Sequence, residues 1–156
     1  IHGRKEGRPP ETDLGAEVLL QQTLLDAIRS GLIRSAHDCA EGGMAVALAE
    51  CCISGDRPVG AKIELPDHQR REDEELFHEA PGRVIVSVDA SSEAALAALC
   101  AQRGVPALRL GTTGGADLTI ELRGREFQWD VEGLFVAWDS SLGDLMDAVA
   151  EPLAAH

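Results

Sequence analysis

A histidine, two acidic residues and a glycine pair lie close together in the stretch S-A-H-D-C-A-E-G-G-M-A-V-A-L-A-E, residues 35–50. His37 and Asp38 end a short apolar run, and Gly42-Gly43 opens a small-residue stretch with helical spacing. A helix N-terminus presents unpaired N–H groups and the positive end of the helix dipole. Glycine there lets a phosphate approach the backbone. The pattern therefore indicates a phosphate-binding loop, in which each glycine costs about 1 kcal/mol of helix propensity.

The same residues also fit a purely structural role. Gly43 permits close packing of the helix on a sheet, while His37 and Asp38 can cap and orient the turn. A glycine pair alone is a weak signal, so both interpretations remain open. The Asp38 carboxylate could in addition bind a magnesium ion beside a phosphate, but a single carboxylate is a weak indication of a metal site.

No other pattern in the sequence is typical of a catalytic centre. Residues 111–115 lack the Lys-Ser/Thr pair of a phosphate loop. Cys39 and His37 make no evident nucleophile–base pair, and no serine lies in a nucleophile elbow. The other histidines have no cysteine or carboxylate at metal-ligand spacing: His2, His68, His78 and His156.

Helical and extended patterns alternate around the loop. Asp13 or Thr12 caps a helix that starts at residue 14 and stops at Gly31. Its apolar residues recur at helical spacing: Leu14, Val18, Leu25, Ile28 and Leu32. Further helices are predicted over residues 41–54, from Ser91 to 102 with a stop at Gly104, and over 131–149. A short helix is predicted to start in the charged run 70–75. Extended segments are predicted at 32–36, 59–65, 83–89, 106–110, 117–122 and 125–131, with turns at 111–115 and at Arg123-Gly124.

This order of elements predicts the fold class α/β (α+β), a mixed β-sheet packed with helices in two or three layers. The 156 residues suffice for one domain. Residues 1–12 combine charges with glycine and proline and are interpreted as a linker from a missing upstream domain. Residues 13–156 are then a single domain.

Composition excludes several partners. Acidic residues number 27 against 14 basic ones, and the formal charge of −13 disfavours nucleic acid and anionic membranes. No apolar run is long enough to span a bilayer. Four cysteines without a C-x-x-C pair predict free thiols in a reducing, cytoplasmic compartment.

Three segments carry a family resemblance. I-R-S-A-H-D-C-A-E-G-G-M-A-V-A-L-A-E-C-C, F-H-E-A-P-G-R-V-I-V-S-V-D and P-A-L-R-L-G-T-T-G-G-A-D-L-T-I resemble, in this order, the C-terminal part of phosphoribosylformylglycinamidine synthases. The resemblance covers nearly the whole chain. The wider superfamily includes aminoimidazole ribonucleotide synthetase, selenophosphate synthetase and thiamine-monophosphate kinase, each with an N-terminal domain and a C-terminal α/β domain. The form H-D-x-x-E-G-G favours the synthase.

The resemblance implies that the parent protein is an ATP- and magnesium-dependent carbon–nitrogen ligase of purine biosynthesis. Such an enzyme activates the amide oxygen of formylglycinamide ribonucleotide as an iminophosphate, which ammonia from a glutaminase domain or subunit displaces. Nucleotide, metal and catalytic contacts lie largely in N-terminal-type domains of the same chain, so this chain alone is expected to be inactive. Alternatively, it is a purely structural interface module, or a domain of another synthetase or kinase of the superfamily.

Carried over residue by residue, the resemblance assigns phosphate or substrate binding to five positions: His37, Asp38, Glu41, Gly42 and Gly43. Glu79 and Arg83 match as a secondary pair, which a structural ion pair would explain equally well. The sequence departs from the family at Ala40, where serine is expected, and at His78, where glycine is usual. The resemblance does not decide whether the loop lines the catalytic or the non-catalytic nucleotide site of this duplicated family.

Overall fold

The computed structural model describes residues 12–150, without the side chains of residues 142, 144 and 147–150. Its elements follow in the order α1 (Leu14–Arg29), β1 (Ser35–Asp38), α2 (Gly43–Ile53), β2 (Ala61–Glu64), α3 (Glu72–Phe77), β3 (Val84–Ser87), α4 (Glu93–Arg103), β4 (Gly111–Thr113), β5 (Asp117–Leu122), β6 (Arg125–Asp130) and α5 (Val131–Ala150). The predicted linker lies, apart from Thr12, outside the described residues. None of the helices described has the length and apolar character that crossing a membrane requires.

The backbone groups into two compact units. The first unit contains the described residues up to Ala47 together with Leu76–Arg109. The second contains Leu48–Glu75 together with the described residues from Leu110 onward. Each unit has its own β-sheet, so each is considered by itself below.

In the first unit, α1 begins and ends where the sequence predicts. The Asp13 carboxylate caps the helix by accepting hydrogen bonds from the backbone N–H of Gly15, at 2.8 Å, and of Ala16, at 3.1 Å. The last helical residue, Arg29, is followed by Ser30 and then by Gly31, whose φ of +67° is in the left-handed region that glycine favours.

The buried side of α1 differs from the side that the apolar periodicity indicates. Thr23 and Ala27 are buried, and Asp26 accepts a hydrogen bond from Arg103 of α4 at 2.5 Å. The residues that define the periodicity are largely exposed: Leu14, Val18, Leu25 and Ile28. Because α1 carries apolar residues on more than one side, the pattern predicts the helix but not its buried face.

The sheet of the first unit consists of β1 and β3. They pair antiparallel, from Ser35 opposite Ser87 to Asp38 opposite Val84. The extended segment predicted at residues 32–36 is therefore displaced toward His37 and Asp38, and β3 is shorter than the predicted strand. The prediction of Ser91 as the cap of α4 is wrong, since the helix begins after Ser92.

The second unit contains a mixed four-stranded sheet with the strand order β4-β2-β5-β6. β2 and β5 are parallel, while β2–β4 and β5–β6 are antiparallel. Leu118, Ile120 and Leu122 alternate along β5 and are almost fully buried, so this central strand carries the core of the unit. The mixed α+β architecture predicted from the sequence is confirmed.

The edge strand β4 is displaced from its predicted position. Residues 106–110 belong to no strand, and β4 instead begins at Gly111, within the predicted turn. Pro106 has no N–H to donate to a strand partner. A Cβ at Gly111 would lie 1.9 Å from the carbonyl oxygen of Lys62, so the close pairing with β2 requires glycine here.

The hairpin between β5 and β6 is confirmed, and its turn residue Arg123 contacts the loop between β2 and α3. Arg123 and Gly124 both have positive φ, +55° and +75°, as expected for a tight hairpin turn. The Arg123 guanidinium donates to the Asp67 carboxylate at 2.7 Å and to the carbonyl oxygen of Arg70 at 2.6 Å. The Glu75 carboxylate accepts from the backbone N–H of His68 at 3.0 Å, and its other oxygen lies 3.0 Å from His68 Nδ1.

Candidate functional site

The predicted binding loop joins β1 to α2 in the first unit. β1 ends at Asp38, and α2 begins at Gly43, two residues later than predicted. Gly42 and Gly43 have φ values of +68° and +70°. Two successive left-handed residues are strongly unfavourable for side chains with a Cβ. The glycine pair is therefore needed to turn the chain into the helix.

The residue before α2 already binds a carboxylate of the chain itself. The backbone N–H of Gly42 donates to Glu79 Oε1 at 2.9 Å. A carboxylate is stabilised at this end of a helix by unpaired N–H groups and by the helix dipole. The structure thus brings Glu79, predicted as a secondary site residue, directly to the predicted loop.

Gly43 is buried against the backbone that follows α3. A Cβ at this position would lie 2.6 Å from the carbonyl carbon of Phe77 and 3.0 Å from the backbone nitrogen of His78. The sequence predicts close packing of Gly43 on a sheet, whereas its neighbour is Phe77, the last residue of the short helix α3. Nothing local in the sequence identifies Phe77 as that neighbour, because the contact is long-range.

Arg83 braces the same segment rather than pairing with Glu79. Its guanidinium Nη2 donates to the carbonyl oxygen of His78, and its own carbonyl oxygen accepts from the N–H of Cys39 at 3.1 Å. Within residues 12–150, Arg83 Nε is buried without a hydrogen-bond partner. The ion pair between Arg83 and Glu79, which was the alternative to a binding role, is not formed in this part of the chain.

The remaining predicted residues lie in β1 and in the loop that follows it. His37 is half-buried in β1, and its Nδ1 lies 2.7 Å from the carbonyl oxygen of Asp38. Asp38 and Glu41 are exposed at either end of the loop. Ala40 is also exposed and offers no hydroxyl. The loop therefore combines a glycine-rich backbone with two exposed carboxylates.

Thiol chemistry does not fit this loop. Cys39 is 1% exposed, and burial raises the pKa of its thiol, an effect that the nearby Arg83 charge only partly opposes. The thiol form is therefore favoured, and it is a poor nucleophile. No group of three or more His, Cys, Asp or Glu side chains in the described part of the chain is placed to hold a metal ion.

Comparison with known proteins identifies related sequences. The family model of AIR synthase related protein, C-terminal domain, matches residues 1–123. Phosphoribosylformylglycinamidine synthase subunit PurL of Thermobifida fusca is 44% identical over 142 residues, which are 91% of this chain and 18% of that protein. The subunit PurL of Thermus thermophilus is 40% identical over 147 residues, 94% of this chain and 20% of that protein. The chain thus spans about a fifth of the length of these curated relatives.

Solved structures share the fold at lower identity. T. maritima PurL complexed with FGAR matches with a TM-score of 0.73 and 19% identity, over 86% of this chain and 24% of that one. T. maritima PurL complexed with ATP has a TM-score of 0.65 at 18% identity, with 75% and 21% coverage. PurLQS from Thermotoga maritima has a TM-score of 0.69 at 19% identity, with 80% and 22% coverage.

Proposed function

The chain belongs to the AIR synthase related protein family as its C-terminal domain, and we propose that it is the C-terminal domain of a phosphoribosylformylglycinamidine synthase. The relatives that carry this name, matched over 91% and 94% of the chain, support the assignment. The domain would act in purine biosynthesis as part of a longer polypeptide with N-terminal-type domains.

The parent enzyme would be an ATP-dependent carbon–nitrogen ligase that converts formylglycinamide ribonucleotide to the amidine. The complexes of T. maritima PurL with ATP and with FGAR support these ligands. The PurLQS assembly supports partner subunits, and we propose a glutaminase, fused or separate, as the source of ammonia. This chain by itself would be inactive.

Within that enzyme, the loop from His37 to Gly43 would form one wall of a phosphate or nucleotide cleft. The observation that supports this proposal is the hydrogen bond from the Gly42 N–H to a carboxylate, because an amide at the start of α2 that binds one anionic group is a suitable donor to another. Magnesium commonly takes one or two carboxylates together with substrate phosphates and water. Asp38 would supply such a carboxylate to a magnesium ion, whose positive charge would help neutralise the phosphate.

The test is an NMR titration of the isotope-labelled chain with ADP and then with formylglycinamide ribonucleotide. We expect saturable shifts concentrated at the amides of Gly42 and Gly43. The amide of Gly104 is the internal control, because Gly104 has a similar φ of +69° but ends α4. A folded spectrum in which the loop amides do not respond, or respond no more than Gly104, would contradict the proposed site.

A second candidate function is that of a scaffold without a ligand of its own. Two observations favour it: the Gly42 N–H already has a protein partner, and Gly43 is packed against Phe77. In that case both glycines serve only the turn and its packing. The scaffold role predicts that Gly42→Ala lowers the free energy of unfolding while neither ligand shifts the loop amides of the unsubstituted chain.

A further inference from the structure

Helix α5 presents an apolar surface along one side. Phe135, Trp138 and Leu145 are 37%, 60% and 65% exposed. They are spaced by three and seven residues, which places them along one side of a helix. We call these three residues the α5 seam. The rings of Phe135 and Trp138 lie 6.4 Å apart and tilted by 39°, so they form one continuous aromatic patch.

The first turn of α5 attaches the helix to the second unit, and the exposed seam residues follow it along the helix. Val131 is 3% exposed and anchors α5 in the second unit. The Asp130 carboxylate accepts a hydrogen bond from the Gly133 N–H at 2.7 Å and thereby caps the helix start. Val131 and Phe135 are four residues apart, so the seam continues the anchored side of the helix beyond its first turn. Exposed apolar residues in such a continuation are typical of an interaction surface.

The charged residues of the chain segment that carries the seam have a single sign. Residues 126–156 contain no lysine or arginine, and their carboxylates are those of Glu126, Asp130, Glu132, Asp139, Asp144, Asp147 and Glu151. Glu132 and Asp139 are exposed on α5 itself. Carboxylates beside exposed aromatic faces attract cationic side chains through both ion pairs and cation–π contacts.

We propose that the α5 seam docks a basic amphipathic helix of a partner polypeptide. The spacing of the seam residues is that of helix-on-helix packing, in which apolar side chains interdigitate at intervals of three and four residues. Lysine or arginine flanking the partner's apolar stripe would meet Glu132 and Asp139. A second copy of this chain is a poor occupant, because two copies of the acidic helix α5, which has no basic residue, would face each other.

The proposal is tested with a synthetic 21-residue helix that has leucine at heptad positions a and d and lysine at e and g. A matched peptide carries glutamate at e and g. We expect the lysine peptide to bind the chain with a 1:1 stoichiometry by isothermal titration calorimetry, and the glutamate peptide to bind at least about tenfold more weakly. Equal binding of the two peptides, or no binding of either, overturns the proposal.

Two variants distinguish binding of the lysine peptide at the seam from general attraction of a basic peptide to an acidic protein. Leu145→Asp should weaken binding of the lysine peptide at least about tenfold. Leu108→Asp, at a residue 64% exposed in the first unit, adds the same charge and should bind as the unsubstituted chain does. Since both sites are exposed, circular dichroism should show an unchanged fold. Equal affinity of the two variants overturns the proposal, as does a dimer of the chain alone that Leu145→Asp abolishes in sedimentation equilibrium.

Discussion

The backbone N–H of Gly42 and the carboxylate of Glu79, thirty-seven residues apart in the chain, form a 2.9 Å hydrogen bond. The contact joins the loop before α2 to the segment after α3. Any external anion that approaches the Gly42 amide would meet the Glu79 carboxylate there first. The position of the Glu79 side chain is therefore coupled to the conformation of the loop.

Removing the Glu79 carboxylate should expose the Gly42 amide. In Glu79→Ala we expect faster hydrogen exchange at Gly42 and a loss of about 1 kcal/mol or less in the free energy of unfolding, because the bond is solvent-exposed. Glu79→Gln retains an acceptor oxygen and should give an intermediate exchange rate. NMR-detected exchange measures both variants, and an unchanged rate at Gly42 in Glu79→Ala would show that the bond is not formed in solution.

Alanine at Gly43 should be far more destabilising than alanine at another left-handed glycine. Both Gly43 and Gly104 have positive φ, so each substitution carries a backbone cost of about 1–2 kcal/mol. Only at Gly43 does the new Cβ also collide with backbone, 2.6 Å from the carbonyl carbon of Phe77, whereas nothing lies within 4 Å at Gly104. Urea unfolding should show an additional loss of about 1–3 kcal/mol for Gly43→Ala. Equal losses of unfolding free energy in the two variants would contradict the close approach of residue 43 to the Phe77 backbone.

The acid stability of the chain should depend on Glu75. Burial acts to raise the pKa of this carboxyl, but hydrogen bonds from His68 and Arg70 outweigh it, so the pKa lies below the ordinary 4.5. A carboxyl whose pKa is lower in the folded state stabilises the fold at pH values above its unfolded-state pKa. This stabilisation is lost as the pH falls through the folded-state pKa. Glu75→Gln should therefore flatten the loss of stability below about pH 4.5.

Thermal unfolding between pH 6 and pH 3 measures this effect. Glu74→Gln is the matched control, because Glu74 is an exposed residue of the same helix. If Glu74→Gln and Glu75→Gln give parallel pH profiles, the hydrogen bonds to Glu75 do not contribute to acid stability.

The hairpin turn should control the ionisation of Asp67. The hydrogen bond from Arg123 is the main cause that lowers the pKa of Asp67. In Arg123→Ala the pKa of Asp67 should rise toward its ordinary value of 3.8, as followed by the carboxyl carbon shift in NMR. Arg125→Ala is the control, because the Arg125 guanidinium donates to Glu72 instead. A similar response of Asp67 to both substitutions would rule out a specific pairing with Arg123.

Local chemistry made several elements predictable. The Asp13 cap, the Gly31 and Gly104 stops and the Arg123-Gly124 hairpin are encoded by residues adjacent to the feature they produce. The strand β5 has alternating apolar residues with a clear period of two, and its predicted bounds match the structure.

Features that depend on distant partners were not predictable in the same way. β4 is exposed and has no apolar alternation, and it forms because Gly111 allows close pairing with β2. In the candidate site, the glycine pair was recognisable, but its partners were not: the carboxylate of Glu79 and the backbone of Phe77 come from a segment far along the chain. The binding roles of His37, Asp38 and Glu41 remain predictions.

The position of β2 in its sheet has a consequence for folding during translation. β2 is translated before α3, β3 and α4, whereas both strands that flank it, β4 and β5, are translated after them. Until then both hydrogen-bonding edges of β2 lack their native partners, a state prone to pairing with other chains. Closing so long a loop is also entropically unfavourable and slows folding. A chain that ended after α4 would thus contain both strands of the β1–β3 pair, but its β2 would lack both partner strands.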